Sequence, residues 1–120
     1  MKTPRKKTLR NKADKRWTQY HIEENPICES CGDPAKQVHH YYYKGSYGHL
    51  RYDDDNATSL CTRCHFLLHT QDPKTIEANI IGNRGEEWYE RLTKKALARP
   101  KAGYQTVQYY KDAIEKYREI

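Results

Sequence analysis

The amino-acid sequence predicts a small α+β domain, a cysteine-stapled finger set between N- and C-terminal helices, and three observations lead there. The first is a shortage of core. Of 120 residues only seven Leu, seven Ile, two Val and one Phe are aliphatic or phenyl, too little apolar surface for so charged a chain to fold unaided. The second is a pair of Cys-x-x-Cys motifs, Cys28/Cys31 and Cys61/Cys64, which can supply the missing staple. The third is the pattern around them, with apolar residues at helical spacing on both sides and β-branched and aromatic residues inside.

Residues 1–16 carry Lys2, Arg5, Lys6, Lys7, Arg10, Lys12, Lys15 and Arg16 against Asp14 alone. That is a local +7 in a chain whose total is +6, so residues 17–120 sum to −1. The stretch reads as a basic arm, 1–16, ahead of a single domain, 17–120, or as the polar face of a first helix. Asn11 to Glu24 fits a helix with Ala13, Trp17 and Tyr20 along one side, stopped at Asn25-Pro26. Within the finger, 28–69, Gln37 to Lys44 fits a strand, Gly45-Ser46-Tyr47-Gly48 a turn, and His49 to Tyr52 the returning strand of a hairpin. Thr62 to His69 is helical. In the C-terminal part, 72–120, Asp72-Pro73 joins an N-cap to a proline at the first helical position. Ile76, Ile80 and Ile81 then fit a short helix closed by Gly82. Trp88, Leu92 and Ala96 fit a second, ended by Pro100, and Val107, Tyr110, Ile114 and Tyr117 a third. Amphipathic packing accounts for all three.

The two cysteine pairs have the spacing of structural zinc sites, each offering two sulfurs to one tetrahedral ion. Cys31-Gly32 supports this, since a glycine there lets the backbone turn around a metal. The 29 residues between the pairs exceed a simple ribbon loop, so something folded is inserted. Two disulfides are the alternative. The basic start, followed by no apolar stretch, argues against a secretory leader and for the cytoplasm, where thiols stay reduced. No apolar run approaches bilayer length, so no membrane partner is expected.

The insert carries His39-His40 and Asn56, and the second cysteine pair runs straight into His65 and His69. Four residues apart on a helix, His65 and His69 project from one face and can share a metal. Four histidines and an asparagine framed by cysteine pairs are hard to account for as scattered surface or core residues.

Val38-His39-His40, the glycines Gly45 and Gly48, Asn56, and Leu60-Cys61-Thr62-Arg63-Cys64-His65 together resemble the HNH endonuclease motif, the ββα-metal finger in its zinc-braced form. The steps from Asn56 to His65 and on to His69 are similar to the metal site of colicin-type nucleases. A narrower resemblance covers most of the chain. The basic Trp-containing first helix, Cys28-Glu29-Ser30-Cys31-Gly32, His40-Tyr41, Leu50-Arg51-Tyr52-Asp53 with Asn56, and a Tyr-rich last helix resemble the phage NinG (Rap) recombination nucleases. The chain departs from that family where His39 stands for a small residue and His65 for Asn.

These resemblances imply a metal-dependent hydrolase of DNA phosphodiesters, leaving 5′-phosphate and 3′-hydroxyl ends, with branched DNA as the substrate of the narrower family. His40 would be the general base, and Asn56 would orient its ring. His65 and His69 would hold the catalytic metal with His39 as third ligand, although adjacent residues on a strand face opposite sides, so the roles of His39 and His40 could be exchanged. The expected cofactors are Zn2+ at the cysteines and Mg2+ or Mn2+ at the histidines, with Zn2+ or Ni2+ as alternatives. DNA contacts are expected from Lys2, Arg5, Lys6, Lys7 and Arg10, and from Arg51 and Arg63 unless these pair with Asp53, Asp54 or Asp55. Those three acids could instead bind metal or form a solvated loop. Tyr41 to Tyr43 could stack on bases or pack the hairpin, and His21 and His49 are expected at the surface. Cutting both strands of a symmetric junction would need a homodimer, which the C-terminal helices could supply. The competing functions are a zinc-stabilised nucleic-acid-binding module without catalysis and a protein-interaction adaptor.

Overall fold

The computed structural model describes residues 5–118. It holds one two-stranded sheet and five α-helices among those residues: α1 (Lys6–Glu24), β1 (Gln37–His40), β2 (Ala57–Leu60), α2 (Thr62–His69), α3 (Pro73–Arg84), α4 (Glu86–Leu97) and α5 (Val107–Lys116). Two short 3-10 turns, Gly48–Leu50 and Asp54–Asn56, lie between the strands. No helix among the described residues is long and apolar enough to cross a membrane.

The first helix starts well before Asn11. Leu9, Ala13 and Trp17 fall at i, i+4 and i+8, and all three are buried against Tyr110, Ala113 and Tyr117 of the α5 region. That apolar seam carries the helix back through the basic stretch despite its like charges, and Arg16 Nη1 donates to the Ile114 carbonyl at 3.0 Å. The line at residue 16 between arm and domain therefore falls inside α1. Tyr20, expected on the buried side, is exposed, because the buried stripe ends with Trp17.

The strands pair antiparallel, Gln37 opposite Leu60, Val38 opposite Ser59, His39 opposite Thr58 and His40 opposite Ala57. The returning strand is thus 57–60, not His49 to Tyr52. Leu50 is buried in a core with the cysteines, α2, α3 and α4, whereas Tyr52 is buried in the core between α1 and α5. A strand would place residues 50 and 52 on one face; serving two different cores requires the chain to turn, and i to i+3 backbone bonds turn it. Asn56, fully buried, closes the long loop. Its carboxamide accepts from Tyr42 N–H at 2.8 Å and donates to the carbonyls of Tyr42 (3.0 Å) and Leu50 (3.2 Å).

The remaining helices begin and end where local chemistry directs. Asp72 accepts from Thr75 N–H at 3.3 Å with Pro73 at the start of α3, and Thr106 caps α5 through Tyr109 N–H at 3.1 Å. Helix α3 runs past Gly82 to Arg84, because Gly85, at φ +99°, adopts the backbone that other residues avoid.

Candidate functional site

The first cysteine pair sits on a tight loop. Gly32, at φ +85°, donates its N–H to Cys28 O at 3.0 Å, and Cys28 N–H donates to Asp33 O at 2.7 Å. The second pair opens α2, where the Cys61 sulfur accepts from Cys64 N–H at 3.4 Å as the helix cap. All four cysteines are free, and their Sγ atoms lie within 4.8 Å of one another. A tetrahedral zinc with Zn–S bonds of about 2.3 Å holds its sulfurs about 3.8 Å apart, so this cluster fits a structural zinc. Burial raises the Cys28 thiol, but backbone N–H groups around it, from Cys61, Cys31 and Ser30, outweigh burial and bring it down to about 7. Burial leads the rise of Cys64 to about 12, so of these two Cys28 leans toward the thiolate a metal needs.

Glu29, inside the first knuckle, ties the cluster to the rest of the fold. Its buried carboxylate accepts from Ser59 N–H of β2 at 2.6 Å and from Arg84 of α3 at 2.7 Å. Arg84 also donates to Ala57 O at 3.2 Å and lies over the Trp88 ring. Nothing in the sequence singles out this pair except an acid placed between two metal-ligand cysteines.

On one side of the sheet His39 meets the helix that follows the second knuckle. One ring nitrogen each from His39, His65 and His69 lies within 4.8 Å of the other two, and the Nε2 atoms of His65 and His69 are 3.0 Å apart. His39 is buried, and burial followed by its histidine neighbours pushes it down to about 3. Burial, and then His69, lowers His65 as well. The lone-pair-bearing neutral imidazole is the form that binds a metal, and the spacing of the three ring nitrogens is one that could hold a metal ion.

His40 points to the other face. Its ring stacks on Trp17 at 4.2 Å, and Nε2 lies 2.9 Å from the Arg51 carbonyl. A carbonyl can only accept, so Nε2 carries the proton and Nδ1 is left with the lone pair. Burial pushes this histidine down to about 4 against the carbonyl's opposing pull. Although strand neighbours diverge, His39 and His40 both line one open cleft of about 320 Å³ with His65, His69, Tyr43 and Lys44. His39, not His40, is the one grouped with His65 and His69.

Several expected contacts resolve differently. The Asn56 side chain makes no hydrogen bond to His40; its three bonds go to the loop backbone, and the Arg51 carbonyl holds the ring instead. Arg51 is not free for phosphate, because Asp14 accepts from its Nε at 2.8 Å and its Nη2 at 2.6 Å. The lone acid of the basic stretch out-competes Asp53 to Asp55 because α1 brings it against the loop. Those three acids are ion-paired: Asp55 with Arg91 and Lys95, Asp53 with Lys95, and Asp54, which stays exposed to solvent, with Lys116 and His21. His49, part-buried, donates to the Lys95 or Ala96 carbonyl at the end of α4. Arg63 is exposed, its pKa raised by the neighbouring Cys31. Arg5, Lys6 and Lys7 are exposed at the start of α1, Arg10 is half-buried, and Lys2 lies outside the described residues. Tyr41 packs on Trp88 and Tyr42 bonds Thr93, while Tyr43 stays exposed beside the histidines.

Fold and site define a small α+β protein with a four-cysteine cluster that could hold zinc. Comparison of the chain with protein-family models, curated proteins and solved structures found no match in any of the three.

Proposed function

We propose that the chain is a metal-dependent DNA endonuclease of the HNH type, and the observation that carries this is the grouping of the His39, His65 and His69 ring nitrogens beside a cleft that His40 also lines. His39, His65 and His69 would hold a divalent cation, which when bound stabilises negative charge on the phosphate and the leaving oxygen. Three imidazoles suit Zn2+ or Ni2+ better than Mg2+ or Mn2+, which prefer oxygen ligands. His40, neutral and fixed by the Arg51 carbonyl, takes the proton of the attacking water at Nδ1. Trp17 holds the ring from behind. The water oxygen bonds to phosphorus as the P–O3′ bond breaks, and the departing 3′ oxygen takes a proton from solvent water, leaving 5′-phosphate and 3′-hydroxyl ends, as the HNH resemblance implies. Exposed Arg5, Lys6 and Lys7 supply attraction for the phosphate backbone. The resemblance to the NinG (Rap) nucleases extends the substrate to branched recombination DNA.

The test is a cleavage panel of linear, nicked and four-way-junction DNA with Mg2+, Mn2+, Zn2+ or Ni2+, using wild type and His40→Ala. The expected result is metal-dependent cutting by wild type only. A folded, zinc-loaded His40→Ala protein that cuts as well as wild type would sink the proposal. The cations on α1 favour a second reading, a binding module without catalysis, which tight DNA binding with no turnover in any metal would select.

A further inference from the structure

A second cleft, of about 280 Å³, adjoins the histidine cleft and shares Tyr43 with it. Its other walls include Tyr41, Tyr42, Tyr47 and Tyr89, with Glu77 of α3 among them. The wall rings meet edge to face: Tyr42 and Tyr47 at 4.9 Å, Tyr41 and Tyr42 at 5.5 Å, Tyr41 and Tyr89 at 5.9 Å. In such a pair an edge covers only one face of the partner ring, so the pairing itself does not use up the π-faces as face-to-face stacking would. The walls are braced. Tyr42 bonds Thr93 Oγ1 at 2.7 Å, and the Arg99 guanidinium covers Tyr47 while donating to Ser46 O. Among the described residues the Glu77 carboxylate has no hydrogen-bond or ion-pair partner. Tyr43, 47 % exposed, stands 5.8 Å from His39 and 5.9 Å from His69, ring to ring.

We propose that this tyrosine-walled cleft takes one unpaired nucleobase next to the phosphate held at the histidines, stacked on Tyr43 and Tyr89, with Glu77 accepting from its exocyclic amino group. The inference rests on the proposed nucleic-acid substrate and narrows it. Aromatic faces stack any base, and a carboxylate accepts from the exocyclic amino group of cytosine, adenine or guanine, whereas thymine has no amino group and offers only its ring N3–H. A paired base has its faces and edge occupied, so only an unpaired one, at a bulge, junction or single strand, fits. Aromatic walls and an acid would also suit an organic cation. The surroundings argue otherwise, because Lys44 beside the histidines and Arg99 over Tyr47 flank the cleft with positive charge, which suits the phosphates on either side of a base.

The test uses the full zinc-loaded chain bearing His40→Ala, to prevent turnover, and duplexes with 2-aminopurine either paired or in a one-base bulge. The bulged probe is expected to bind about tenfold more tightly and to lose fluorescence by stacking. Tyr43→Ala, an exposed position, should remove that preference. Glu77→Gln should narrow the gap between bulged cytosine and bulged thymine, with zinc content and circular dichroism unchanged. Equal affinity for both probes without quenching overturns the base cleft, and the endonuclease proposal stands if wild type still cuts. Quenching and preference in the variant, together with a wild-type protein that cuts nothing in any metal, support the cleft and sink the endonuclease. Displacement of the probe by a trimethyllysine peptide assigns the cleft to a cation and overturns the inference.

Discussion

The indole of Trp17 lies flat on the imidazole of His40, ring centroids 4.2 Å apart and planes 11° from parallel. Trp17 is fully buried, yet its Nε1 has no hydrogen-bond partner among the described residues. Its contribution is therefore area and shape. Trp17→Ala is expected to cost about 3–5 kcal/mol, while Trp17→Phe keeps a ring on His40 and costs clearly less. Urea unfolding measures both, and equal losses would show that the indole N–H matters.

Arg51 serves by two groups at once, its carbonyl on His40 and its guanidinium on Asp14. Arg51→Met leaves Asp14 half-buried with the Tyr52 hydroxyl as its side-chain partner and should lose about 2 kcal/mol. Adding Asp14→Asn should recover part of that, a coupling that a double-mutant cycle reads directly. The salt dependence of DNA binding should be unchanged.

Exposed cations on α1 should behave in the opposite way. Lys6→Glu with Lys7→Glu is expected to leave the unfolding midpoint within experimental scatter and to weaken DNA binding. The slope of log affinity against log salt should fall by about 0.9 for each phosphate that the variant no longer neutralises. Fluorescence anisotropy at several salt concentrations is the measurement.

The two metal-ligand groups should separate by substitution. Cys61→Ser is expected to lose zinc and helicity together, since a structural metal site contributes folding free energy. His65→Ala should keep both the cysteine-bound zinc and the circular dichroism spectrum while losing any cleavage. Zinc analysis of the purified variants checks this, and loss of all metal in His65→Ala would contradict it.

Acid should unfold the chain partly through three carboxylates. Burial raises Asp14, but bonds from Arg51 and Tyr52 outweigh it. Hydrogen bonds from Arg91 lead the lowering of Asp55, and Tyr117 and Lys116 overcome the burial of Asp54. Each folded value lies below the ordinary 3.8, so the stability is complete above about pH 4 and is lost as pH falls through the folded values. Asp55→Asn should flatten this acid limb relative to wild type, as followed by circular dichroism between pH 6 and 2.

Legibility in the sequence tracks the range of the interaction. Helix α2 matches Thr62–His69, and Asp72-Pro73 marks the start of α3, because caps and i, i+4 spacing are local. The cysteine pairs and the i, i+4 histidines carry their geometry in their spacing for the same reason. The loop 41–56 was not legible, since what shapes it is Asn56 reaching back to Tyr42 and two cores claiming Leu50 and Tyr52. Arg51 had three acids within four residues and took Asp14, 37 positions away. A side chain's long-range partner leaves no periodic trace.

The unbroken run of α1 from Lys6 past Trp17 makes the helix a ruler. Eleven residues at 1.5 Å each set its first turn about 16 Å from the indole that backs His40. For B-form DNA lying along the helix, at 3.4 Å per step along a strand, that would be about five nucleotides. If the chain is the endonuclease proposed above, phosphates bound by the first turn would keep a fixed separation from the bond that is cut, visible as a constant offset between ethylation-interference sites and the cut.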